Sequence, residues 1–155
     1  MATSTLIQYL EQSGTDAISG AAVSVGTAVM DRRQVETFLA AGAITAGQFV
    51  SLDASQADDA NKALFVKPAD SADTTASCCV GVALAAANAG EKVEVCIRGV
   101  CEANTAAVAQ GDVLTHSATA GEAATIAAAT DPQVAVALDA TGAPATITVY
   151  VRGAF

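Results

Sequence analysis

Residues 92–98 alternate without a break. Val93, Val95 and Ile97 fall on one side, and Glu94, Cys96 and Arg98 on the other. That period of two marks a strand with one buried face. Residues 147–152 repeat it, with Ile147, Val149 and Val151 set against Thr148, Tyr150 and Arg152. Two other apolar starts, Phe49-Val50 and Val113-Leu114, each follow a four-residue turn, Thr45-Ala46-Gly47-Gln48 and Ala109-Gln110-Gly111-Asp112. Gly stands third in both, where a type II turn requires positive φ.

These likenesses form an internal repeat. AITAGQFVSL (43–52) matches AVAQGDVLTH (107–116), 107 − 43 = 64 residues on. VGVALAAANAGEKVEVCIRG (80–99) matches VAVALDATGAPATITVYVRG (134–153), 134 − 80 = 54 residues on. The first copy (43–99) therefore carries ten more residues than the second (107–153), all within 53–79. That stretch, rich in Asp, Ser and Ala, predicts a longer loop holding one short strand, Ala63–Lys67. ALAAANAGEK alone could pass for a helix. Its partner ALDATGAPAT contains Gly142 and Pro144, so the repeat favours a turn between strands in both copies. The pattern predicts eight to ten short strands in an all-β domain over 33–155: a small barrel or sandwich built from two unequal repeats, with strand edges left to cover.

Residues 1–32 match neither copy and hold Gly14, Gly20 and Gly26. They read as an N-terminal arm, with an ordinary edge strand as the alternative. Leu6, Ile7, Tyr9 and Leu10, then Val23, Val25 and Val29, are its candidate partner-binding residues. The later stretch alternates enough to add a strand to a neighbouring edge.

Composition narrows the function. Of the 52% hydrophobic residues, 38 are alanines, and aromatics are only 4%. Alanine buries little area, so the core is thin and self-association is expected to add burial. The net charge is −9 with seven scattered basic residues. No basic stripe exists for nucleic acid, and anionic membranes are disfavoured by sign. The start has no basic n-region and no stretch reaches a membrane span, which predicts synthesis in a cytosol.

Catalytic chemistry is absent by pattern. His116 is the sole histidine; Ser117 and Asp112 lie near it, but neighbouring strand residues point to opposite faces. It reads as a surface histidine at a strand end. Asp53, Asp58, Asp59, Asp70 and Asp73 lie in the long loop without a calcium-loop spacing and read as solvated carboxylates. Cys78, Cys79, Cys96 and Cys101 lack a zinc spacing and read as free thiols. Their parities put Cys78 and Cys101 inward and Cys79 and Cys96 outward, with Cys78 opposite Cys101 and Cys79 opposite Cys96 in a hairpin. No phosphate loop or dinucleotide fingerprint occurs. No cofactor, metal or small-molecule substrate is expected.

RRQVETFLAAGAITAGQFVSLD, VGVALAAANAGEKVEVCIRGV, AAVAQGDVLTHS and VAVALDATGAPATITVYV, in that order, resemble the capsid decoration (cement) proteins of tailed phages. Gln48 departs from the Asp common at that family's turn; Asp112 keeps it. The resemblance implies a β-barrel or β-tulip domain, usually a homotrimer. It implies binding to major capsid protein on the outer face of an icosahedral head. Another virion or surface β-module, such as a head-fibre base or adhesin-like domain, is the alternative, and an enzyme or small-ligand binder a remote third.

Overall fold

The computed structural model describes residues 33–72 and 78–152. The two predicted glycine turns start the architecture. Gly47 and Gly111 sit at φ 83° and 89°. The N–H of Gln48 reaches Thr45 O at 3.3 Å, and that of Asp112 reaches Ala109 O at 3.1 Å. A side-chain oxygen then caps each turn from the same place: Thr45 N donates to Gln48 Oε1, and Ala109 N to Asp112 Oδ2, both at 2.9 Å. Glutamine thus does the work of the expected aspartate.

The strands are β1 (Arg33–Ala40), β2 (Phe49–Leu52), β3 (Phe65–Pro68), β4 (Cys79–Ala83), β5 (Lys92–Thr105), β6 (Val113–His116), β7 (Ala123–Thr125), β8 (Ala135–Ala137) and β9 (Ala145–Val151). A four-residue helix, α1 (Asp59–Lys62), lies in the long loop that the repeat offset predicts. The fold is all-β, and β3 overlaps the short strand expected there. The 84–91 segment is a turn, as its repeat partner requires.

The sheet order is β1-β3-β2-β4-β5-β7-β6-β8-β9, with β1–β5 and β5–β9 also paired. Those two extra pairings close the sheet twice. β1, β3, β2, β4 and β5 form ring one; β5, β7, β6, β8 and β9 form ring two. The 14-residue β5 belongs to both. β1 pairs parallel with β3, and β5 pairs parallel with β7 through Thr105 and Ala123. The second half of β5 is therefore to ring two what β1 is to ring one. Isolated bridges Ile44–Ala87 and Val108–Thr141 obey the sequence offsets, 108 − 44 = 64 and 141 − 87 = 54. Each repeat copy completes its own ring, so the strand edges expected to need covering are paired within the chain.

Phe38, Ile44, Val50, Val66, Val80, Val93 and Val95 line ring one. The second cluster joins the interior of ring two, including Leu114, Ala123, Ala135 and Val149, to an outer row of ring one, Phe49, Val82 and Cys96. Ring one is thus buried on two faces along β4, where all five residues are buried.

A bulge explains the cysteine parities. Val50 pairs with Gly81 but Ser51 with Cys79, so the register slips at Val80. Val80 turns into ring one while Val82, two residues on, turns out of it. Gly81 allows this: a Cβ there would sit 2.1 Å from Cys96 O. The inferred orientations fail for Cys78 and Cys79 accordingly; Cys101 is buried as expected, and Cys96 faces out of ring one as expected but is covered there. Cys78 is exposed, whereas Cys79, Cys96 and Cys101 are buried in one cluster. His116 is also corrected. It is 5% exposed and turns into ring two, at the position Leu52 occupies in ring one.

Candidate partner-binding surface

The arm residues proposed from sequence, Leu6, Ile7, Tyr9, Leu10, Val23, Val25 and Val29, lie outside the described residues. The geometry that can be read is that of the double ring.

The acidic loop is built rather than loose. Asp53 is buried, not solvated. Its Oδ1 accepts from Ser55 Oγ at 2.6 Å and Ser55 N at 3.1 Å, and its Oδ2 accepts from Gln56 Nε2 at 2.7 Å. Lys67 Nζ lies 3.9 Å away on β3. Burial pushes this carboxyl upward, but the Ser55 and Gln56 hydrogen bonds and the Lys67 charge outweigh it and hold it below its ordinary value. Of the other described loop carboxylates, Asp58 and Asp59 are exposed and Asp70 is half-buried, and all three serve local structure; Asp73 lies outside the described residues. Asp58 caps α1 by accepting from Ala60 N at 3.2 Å, Asp59 pairs with Lys62 at 2.8 Å, and Asp70 accepts from Ala72 N at 2.9 Å. Among the described residues, no group of three or more His, Cys, Asp or Glu could hold a metal ion. Asp112 is held low by the Ala109 N–H and the Thr125 hydroxyl, both serving its turn.

The thiols divide by burial. Burial pushes Cys79 up to about 12, so it stays protonated and inert, its Sγ 3.9 Å from Gly81 O. Cys78 alone among the four is exposed. No described helix is long and apolar enough to cross a membrane.

The described surface also carries large apolar side chains. Val35, Leu64, Leu138 and Tyr150 are large hydrophobic residues at 36–42% exposure. The sequence held a signal for two of them. Tyr150 takes the outward place in an alternating strand, and Leu138 matches Leu84, which in ring one packs onto the core. Side chains of this kind, without titratable chemistry converging on them, make a candidate protein-contact surface.

A family model described as phage cement protein matches residues 37–153. The chain belongs to the phage cement protein family. The match runs through both rings of this cement protein, from β1 to the end of β9. A solved structure, the head fiber gp8.5 N base in bacteriophage phi29, is similar in fold at TM-score 0.52 and 14% identity. That likeness covers 76% of this chain and 92% of that one. No curated protein matches the chain. Cement-family membership makes it a structural component of the virion.

Proposed function

We propose that this cement protein binds the outer face of an icosahedral phage head as a homotrimer, bridging neighbouring major capsid subunits, and that it stabilises the shell without catalysis. The observation that carries the reading is the family match across residues 37–153, which takes in both rings. Packaged genome presses the shell outward, and a clip touching several subunits makes their separation cooperative. The protein is made in the host cytoplasm and ends on the capsid exterior. The arm, through Leu6, Ile7, Tyr9, Leu10, Val23, Val25 and Val29, anchors it to the capsid or to a neighbouring subunit while the rings stand outside.

Cosedimentation with undecorated capsids tests this. The full chain is expected to pellet with shells and raise their resistance to heat. Deleting residues 2–28 should weaken binding at least tenfold, about 1.4 kcal/mol, with the β-type circular dichroism and cooperative melt retained. A full chain that leaves capsids bare ends the proposal, and a truncated chain that binds as tightly as the full one ends the arm assignment.

The fold likeness to the phi29 head-fiber base supports a second reading, the base of a head fibre. Copy number decides: cement is present in hundreds of copies per particle, a fibre base in few.

A further inference from the structure

The two rings differ in what covers them. In ring one the outer row Phe49, Val82 and Cys96 is buried, and Leu84 packs beside it. Ring two is what lies against this face. Phe49 N donates to Gly121 O at 2.9 Å, Gly121 N donates to Ala69 O at 2.7 Å, and Asn104 N donates to Gly47 O at 2.8 Å. The approach is close: a Cβ at Gly47 would lie 2.9 Å from Asn104 Oδ1, and one at Gly121 would lie 2.7 Å from Gln48 Cγ. The covering surface is thus the second half of β5 together with the β6–β7 turn.

The same row exists in ring two, in the same register. Phe49 pairs with Val82 and Val82 with Cys96; Val113 pairs with Val136 and Val136 with Tyr150. Leu84 corresponds to Leu138, and Ala69, whose N–H meets Phe49 O, corresponds to Ile126, whose N–H meets Val113 O. Here the row is uncovered. Leu138 and Tyr150 are 37% and 36% exposed, and a Cβ at Gly111, the counterpart of Gly47, would meet nothing within 4 Å.

The covering surface has a counterpart too. β1 stands in ring one where the second half of β5 stands in ring two, and the β2–β3 loop stands for the β6–β7 turn. On that counterpart lie the other two exposed apolar residues, Val35 on the outer side of β1 and Leu64 at the end of the loop, at 39% and 42%. The four large exposed hydrophobic residues among those described thus fall two on each of two faces, and those faces meet each other inside the chain, in their other copies.

We infer that the Val113–Val136–Tyr150 row of ring two docks the β1 and β2–β3 loop face of ring one from a second copy of this chain, repeating between chains the contact the two rings make within one. The Leu64 side chain fills the place that the Gly121 backbone fills internally. The contact is head-to-tail, so it leaves a free face at each end until a ring of chains closes. It rests on the homotrimer proposed above and supplies the surface that homotrimer uses.

Sedimentation of the free protein tests it without capsids. The wild type at micromolar concentration is expected to run as a multiple of 15.3 kDa. The double substitution L138E/Y150E should run as a single chain, as should L64E, each with unchanged circular dichroism and a cooperative melt. These positions are at the surface, so folding survives. Each variant keeps one intact face. An equimolar mixture of the two should therefore form a two-chain species that neither forms alone. Wild type at single-chain mass overturns the inference, as does retention of the wild-type mass by L138E/Y150E, or a mixture that stays single-chain. Self-association as described with failure to bind capsids would leave this surface standing and remove the cement role.

Discussion

The two rings share a topology but not a lining. In ring one Phe38 and Val66 face inward where ring two has Ala103 and Ala123. At three other positions ring two is the larger: Thr105 replaces Ala40, Leu114 replaces Val50, and Ile147 replaces Val93. Volume lost at one position is returned at another, which is how a core keeps its density while its members change. What the copies hold in common is the capped glycine turn and the register. The turn and the alternation define the ring; side-chain size is negotiated afterwards.

One position breaks the equivalence, and it gives the sharpest test. Gly81 opposes Val50, and Ala135 opposes Leu114 at the same place in ring two. Ring two accepts a Cβ there, buried among the lining residues. In ring one a Cβ would collide with the Cys96 carbonyl at 2.1 Å, a backbone atom that cannot rotate away. Gly81→Ala is expected to cost more than about 4 kcal/mol, in the range of exceptional single substitutions. The reverse change, Ala135→Gly, should cost about 1 kcal/mol. Chemical denaturation of both variants measures the asymmetry; equal losses would mean that the bulge at Val80 relaxes freely.

The long loop separates the rings next. Asp53 has Ser117 as its counterpart by the 64-residue offset, so only ring one carries a buried carboxylate here. Asp53→Asn is expected to cost about 1–3 kcal/mol by leaving donors poorly matched. The folded carboxyl lies below its ordinary value of 3.8. Its contribution is therefore complete above pH 3.8 and is lost as pH falls through the folded value. Urea melts between pH 7 and pH 3 should show wild-type stability declining in that acid window, and the Asn variant declining less. Parallel decline in both would remove Asp53 from the acid response.

Much of this was legible from residues alone. The repeat, the two glycine turns, a count of eight to ten strands and the ten-residue excess all follow from alternation and from where Gly stands. Ring closure was not legible, because β1 and the second half of β5 share position without sharing sequence. The bulge was hidden for a different reason. A slip of one residue leaves no trace in a run such as Cys78-Cys79-Val80-Gly81-Val82, in which either parity reads as apolar. His116 misled because a polar side chain at a strand end was read as solvent-facing, although its repeat partner Leu52 pointed the other way. The contact surface was half legible, through Tyr150 and Leu138; Val35 and Leu64 become meaningful only once the rings are superposed.

The smallest expected effect concerns the thiols, which tests the bulge within ring one. Cys78→Ser should change stability by less than about 0.5 kcal/mol, as at an ordinary surface site, whereas Cys79→Ser exchanges a buried sulfur for an unmatched hydroxyl. Ellman's reagent on native protein should count one fast thiol, Cys78, and reach four only on unfolding. Fast labelling of Cys79 would put the register of β4 in doubt.

The shared strand also imposes an order of events on a growing chain. Every strand of ring one lies N-terminal to residue 99 or within the first half of β5. Ring one can therefore close while ring two is still being synthesised. Its closure fixes β5 in place, so the strands of ring two arrive at a template already held straight. The entropy of bringing distant segments together, which slows β proteins as a class, is in this way met in two smaller instalments. The second ring folds as an addition to an existing edge, and that edge disappears when β9 lies down along it.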